Sequence, residues 1–196
     1  MSKKNEYHIY LKWPRYLAQW FAHEMYRLKN FESEHQDSYQ YKVDVPVMEL
    51  EPVETRRGSL PRAVLEMCLQ KPPADYDFRP PKDATICLVL PSFVNKPPQY
   101  YCYLRPQGES LLEESVRNWF RVELGRYMGK LLGERLSRGK SSVSTEHMIL
   151  AFMEMNGIEN TDQNYEAIRG IWYKIYMVKA VIKSKAKRKA NENTRD

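Results

Sequence analysis

The chain has 196 residues, enough for one domain or for one domain with a helical appendage. A hydrophobic content of 42% with 12% aromatic residues excludes a disordered chain, and no apolar run approaches the roughly 20 residues of a membrane helix. The net charge is +6, but Lys179, Lys183, Lys185, Lys187, Arg188, Lys189 and Arg195 against Glu192 and Asp196 give +5 in residues 179–196 alone, leaving +1 for the rest.

Met1–Asn5 carries lysines with no apolar run behind it, which predicts no secretion signal. Residues 6–12 alternate, with Tyr7, Ile9 and Leu11 on one face, and read as a strand that Trp13-Pro14 ends. Leu17, Phe21, Met25 and Leu28 then recur at helical spacing and predict a helix over 15–29, followed by a polar loop over 30–40. Tyr41, Val43, Val45 and Val47 alternate, so 41–50 is expected to be a strand, at an edge or bulged because Pro46 lacks a donor. Ser59 is the candidate N-cap of a helix over 60–70 whose apolar face is Val64, Leu65 and Cys68. Pro72-Pro73 and Pro80-Pro81 mark an extended connection. The apolar run 84–90 is the best candidate for a central strand, and 99–104 reads as its hairpin partner, placing Cys87 and Cys102 roughly opposite each other as two small buried side chains.

From residue 109 the period changes. Ser110 and Glu113 form a capping-box pattern opening a helix with the stripe Leu112, Val116, Trp119/Phe120, Leu124, Tyr127/Met128 and Leu131/Leu132. Gly139 and the serines after it mark a break. Ser144 or Thr145 caps a helix over 145–156 that Gly157 ends as a left-handed residue, with Ile158 supplying the contact behind it. Thr161 caps a third helix whose expected core face is Tyr165, Ile168, Trp172 and Ile175. The chain is therefore expected to be α+β: about four strands with two covering helices in 1–107, a three-helix region resembling a helix-turn-helix in 108–190, and a disordered tail at 191–196.

Three features bear on function. The helix, turn and second helix from Ser144 onward outline a helix-turn-helix, in which the second helix would face base edges. Asn164 suits adenine and Arg169 suits guanine, with Tyr173 beside them. An ordinary helical hairpin with a polar outer face has the same outline. Next, Lys174, Lys179, Lys183, Lys185, Lys187 and Arg188 continue that helix and, with Tyr173 and Tyr176, mix cations with flat rings, as phosphate and base contacts require. The bland alternative is a solvated end with tyrosines in the core. Finally, Gly125, Gly129 and Gly133 recur every four residues, which suggests a second backbone lying close, in cis or in a homodimer, unless the helix breaks near Gly133. Tyr100, Tyr101 and Tyr103, on the strand over 99–104, are a further base-stacking candidate if the polyanion is RNA, although their place in a hairpin favours core packing.

No nucleotide-binding, metalloprotease or serine-hydrolase motif occurs, the four histidines lie far apart, and the three cysteines show no CxxC spacing. These patterns predict no enzyme, no cofactor, no bound metal and reduced thiols in a cytoplasmic protein. The segments Tyr7–Met25 and Asn156–Tyr176, with the Arg57-Gly58-Ser59 turn between them, resemble in their order small proteins of prophages and mobile elements of anaerobic gut bacteria. That resemblance assigns no residue, and it implies an accessory role near DNA. The expectation is a DNA-binding accessory or regulatory protein that uses the basic C-terminal helix. Its alternative is a protein–protein module without nucleic-acid affinity.

Overall fold

The computed structural model describes residues 7–30, 39–137 and 144–192, with side chains for 7–30, 39–134 and 144–177. The expected loop over 30–40 and the break at Gly139 thus lie mostly outside the described residues, and so does the end of the tail from residue 193. The molecule is α+β. In chain order the elements are β1 (His8–Leu11), α1 (Arg15–Lys29), β2 (Pro52–Glu54), α2 (Leu60–Cys68), β3 (Leu69–Gln70), β4 (Ile86–Val89), β5 (Tyr103–Leu104), α3 (Pro106–Ser137), α4 (Thr145–Met155) and α5 (Asp162–Glu192). By their contacts they form two compact units. One holds the chain up to Phe120 together with Met153–Glu159; the other holds Arg121–Phe152 and the residues from Asn160 onward.

In the first unit β4 is central in a sheet of order β1-β4-β2, as its unbroken apolar run predicts. β1 runs antiparallel to it, with Leu11 opposite Ile86, and β2 runs parallel, with Glu54 opposite Val89. The Thr85 hydroxyl locks the end of the first pair: it accepts from the Trp13 N–H and donates to the Trp13 carbonyl, both at 2.8 Å. The expected hairpin of 84–90 with 99–104 does not form. Both edges of β4 are already occupied, and β5 pairs with β3 instead, in a separate two-stranded sheet. The segment between them turns at Pro97, whose carbonyl accepts from the N–H groups of Tyr100 and Tyr101, so Cys87 and Cys102 are not cross-strand neighbours.

The strand expected over 41–50 is also absent. Burial does alternate through Tyr41, Lys42, Val43 and Asp44, as the pattern implies, but the segment has no ladder partner and closes in a 3₁₀ turn at Val47–Glu49. The strand lies just beyond, at β2. Period two reports which side chains face inward; it does not supply a free sheet edge to pair with.

α1 keeps its predicted bounds, but every residue from Tyr16 to Met25 is buried, so it lies inside the unit rather than covering one face. Trp20 meets Trp119 at 5.2 Å and Phe120 at 5.3 Å edge-on, and Tyr16 meets Phe120 at 5.2 Å. Such pairs add to what the buried area contributes. Ser59 caps α2 as expected, its hydroxyl accepting from the Arg62 N–H at 3.4 Å. α3 starts earlier than its capping-box pattern implies, at Pro106, because proline is preorganised for the first helical position; the Ser110 hydroxyl donates back to the Pro106 carbonyl instead of capping. α3 also passes through Gly133 without breaking.

In the second unit Leu124 and Met128 of α3, Met148, Ile149 and Phe152 of α4, and Ile168 and Trp172 of α5 are all buried. Ser144 caps α4, accepting from the His147 N–H at 3.2 Å. In the first unit, Gly157 ends α4 at φ +62, with the Ile158 N–H donating to the Met153 carbonyl at 2.9 Å and the Gly157 N–H to the Glu154 carbonyl at 3.2 Å. That double closure and the buried Ile158 are what the sequence implies there.

Candidate functional site

α5 opens as its sequence predicts. The Thr161 hydroxyl accepts from the Asn164 N–H at 3.2 Å, and the Thr161 carbonyl accepts from the Tyr165 N–H at 2.9 Å. Its inward stripe, however, is Asn164, Ile168 and Trp172, with Ile175 half-buried one turn on. The readout role expected of Asn164 is therefore corrected: the residue is 1% exposed. It sits four residues before Ile168, on the same line down the helix, so its amide points inward and not toward a base edge.

Arg169 and Tyr173 do come together on the outer side. The Arg169 guanidinium lies 5.8 Å from the centre of the Tyr173 ring and holds the Glu166 carboxylate at 2.5 Å. The Glu166 charge raises the Arg169 pKa further, so the cation is permanent, but Glu166 also offsets part of its field. Tyr173, Lys174, Tyr176 and Met177 are exposed, which corrects the reading of these tyrosines as core. The side chains of Lys179, Lys183, Lys185, Lys187 and Arg188 lie outside the described residues. The backbone that carries them is helical, since α5 runs to Glu192, past the tail boundary drawn at residue 190.

The glycine stripe divides. A Cβ on Gly125 would stand 3.8 Å from Ile175 Cγ2, so α5 already covers this position in cis. Gly129 and Gly133 are exposed, and a Cβ on either would meet nothing within 4 Å.

In the first unit an aromatic cleft of about 710 Å³ is lined by Tyr7, Tyr10, Tyr76, Phe78 and Tyr100, among others. Tyr76 packs edge-on against Phe78 at 5.0 Å and against Tyr103 at 4.8 Å; Lys71 Nζ stands 5.9 Å from the centre of the Tyr101 ring. Of the three tyrosines named as stacking candidates, Tyr100 is the one that is exposed, while Tyr103 is committed to packing. Desolvation raises the carboxyl pKa of Glu109 on the same wall. The sequence pattern could not reveal this cleft, because 71–82 and 99–102 contribute to it from irregular backbone.

Among the described residues no group of three or more His, Cys, Asp or Glu side chains is placed to hold a metal ion. No described helix is long and apolar enough to cross a membrane. All three cysteines are free thiols. His147 Nδ1 lies 2.7 Å from the Ser144 hydroxyl, an exposed contact within one helix cap. A scan of protein-family models, a search of curated proteins and a search of solved structures return no match to this chain.

Proposed function

We propose that the protein binds nucleic acid, DNA before RNA, through α5, in an accessory or regulatory role. One observation carries the reading: α5 is a single helix of 31 residues, so the basic run of the sequence continues a rod anchored at its other end by the buried Ile168 and Trp172. At about 1.5 Å per residue that rod is roughly 46 Å long. Lysine suits phosphate contact without sequence readout, and the buried Asn164 removes one of the base-reading candidates. Backbone binding with modest sequence preference is the form of recognition this favours.

Replacing Lys183, Lys185, Lys187 and Arg188 together with alanine is expected to weaken binding to any duplex and to flatten its dependence on salt. Anisotropy titrations with duplex DNA, single-stranded DNA and RNA at two salt concentrations measure this. Unchanged affinity overturns the proposal. The alternative, a protein–protein module, draws on the exposed Tyr173, Tyr176 and Met177 and on the open faces of Gly129 and Gly133. It requires salt-insensitive self-association or partner binding and no nucleic-acid affinity.

A further inference from the structure

β2 and β4 are parallel and finish together, with Glu54 opposite Val89. The loops that leave them, Thr55–Ser59 and the segment from Pro91, therefore emerge at one end of the sheet. Between them opens a pocket of about 390 Å³, within the range of small-molecule sites. Lys29, Arg56, Arg57 and Arg62 all line it. Glu54, which also lines it, pairs with Lys29 at 3.3 Å, so three guanidinium charges remain. Arg56 and Arg57 are exposed and have no acidic partner among the described residues. Arg62 is fixed from two sides: its Nη1 donates to the Thr55 carbonyl at 3.3 Å, and its guanidinium lies over the Phe93 ring at 5.4 Å.

One further observation points to an anion. Thr55 is 6% exposed, lines the pocket, and its buried hydroxyl has no hydrogen-bond partner among the described residues. A buried hydroxyl is ordinarily paired, so an orphan here suits an acceptor supplied from outside. Beyond it the loop turns at Gly58 (φ +75) into α2, whose first turn carries Arg62 to the pocket. Met25, Leu28, Val89 and Pro91 add apolar lining to the same pocket.

We infer that this pocket binds a phosphomonoester. Its dianionic phosphate sits among Arg56, Arg57, Arg62 and the Thr55 hydroxyl, and its organic part lies against Met25, Leu28, Val89 and Pro91. A carboxylate carries one charge and is satisfied by a single arginine fork; three guanidinium groups outweigh one carboxylate and suit the two charges and three terminal oxygens of a phosphomonoester. The inference uses only residues of the first unit and does not depend on α5.

Isothermal titration of the full chain with phenyl phosphate tests it, with inorganic phosphate, methyl phenyl phosphate and benzoate as comparisons. Phenyl phosphate should bind saturably and more tightly than the other three. Short oligonucleotides with and without a 5′-phosphate separate the two sources of the same group: a preference for the phosphorylated one over phenyl phosphate assigns the site to a nucleic-acid end, and the reverse assigns it to a small metabolite. Arg56→Gln with Arg57→Gln, both at exposed positions, should weaken phenyl phosphate about tenfold or more, and Thr55→Val by a few-fold. The variant lacking the four C-terminal basic residues should bind it like the parent chain. Absence of saturable binding overturns the inference; so does binding indifferent to the two arginines, binding lost with the C-terminal residues, or benzoate bound as tightly as the phosphate.

Discussion

Gly157 and Gly129 show how differently one residue type can be constrained. A Cβ at Gly157 would stand 2.6 Å from the Tyr39 carbonyl oxygen and 2.7 Å from His23 Cδ2, on a backbone already at φ +62. Gly157→Ala is expected to cost about 2–5 kcal/mol, from backbone strain and overpacking together. Gly129→Ala, in open space on α3, should instead stabilise by about 0.5–1 kcal/mol, as alanine does in a helix interior. Urea denaturation of the two variants reads both signs. Cys87 gives a prediction in pH. Burial pushes its thiol from the ordinary 9.0 up to about 11. The folded state therefore favours the protonated thiol: that stability is whole below pH 9 and is lost as pH rises toward 11. The loss should amount to about 2–3 kcal/mol at most. Stability curves of the parent and Cys87→Ala should converge across that window. Convergence below pH 9 instead would mean that the thiol is not the group responsible.

At the scale of elements, α1 and α3 meet in the first unit through aromatic edges. Phe120 is fully buried and meets both Tyr16 and Trp20. Phe120→Ala should cost about 3–5 kcal/mol, and thermal unfolding should show it as a large drop in midpoint. The exposed pair of Arg126 and Glu123 on the same helix is the contrast: Glu123→Ala should change stability by no more than about 0.5 kcal/mol. α5 is where element and proposed function meet. Its cap, its inward stripe and its length fix where the helix begins and which side it buries, and Asn164 shows that a polar residue on that stripe follows the stripe rather than its own chemistry.

For the whole molecule, charge separation is the consequential property: +5 in the last 18 residues of a chain of net charge +6. A polyanion bound there should release counterions, with a slope of log affinity against log salt near −0.9 per phosphate neutralised on duplex DNA. About six contacts would put the slope near −5. A slope near zero in the same titrations would remove the electrostatic basis of the proposal. What the sequence determined by itself is whatever depends on local spacing: the bounds of α1, the caps at Ser59 and Thr161, a cap for α4 at Ser144 or Thr145, of which the structure takes Ser144, the Gly157 closure, the central place of β4 and the basic end of the chain. Only the tertiary structure decided which strands pair. The edges of β4 went to β1 and to β2, so the alternating 41–47 segment stayed unpaired and the hairpin of 84–90 with 99–104 never formed. It alone also turned Asn164 inward, gathered the aromatic cleft from irregular loops, and brought Arg56, Arg57 and Arg62 to the end of a parallel pair. The reason is physical: helix periodicity and capping are satisfied within a few residues, whereas strand partners and pockets depend on groups far apart in the chain competing for the same edge.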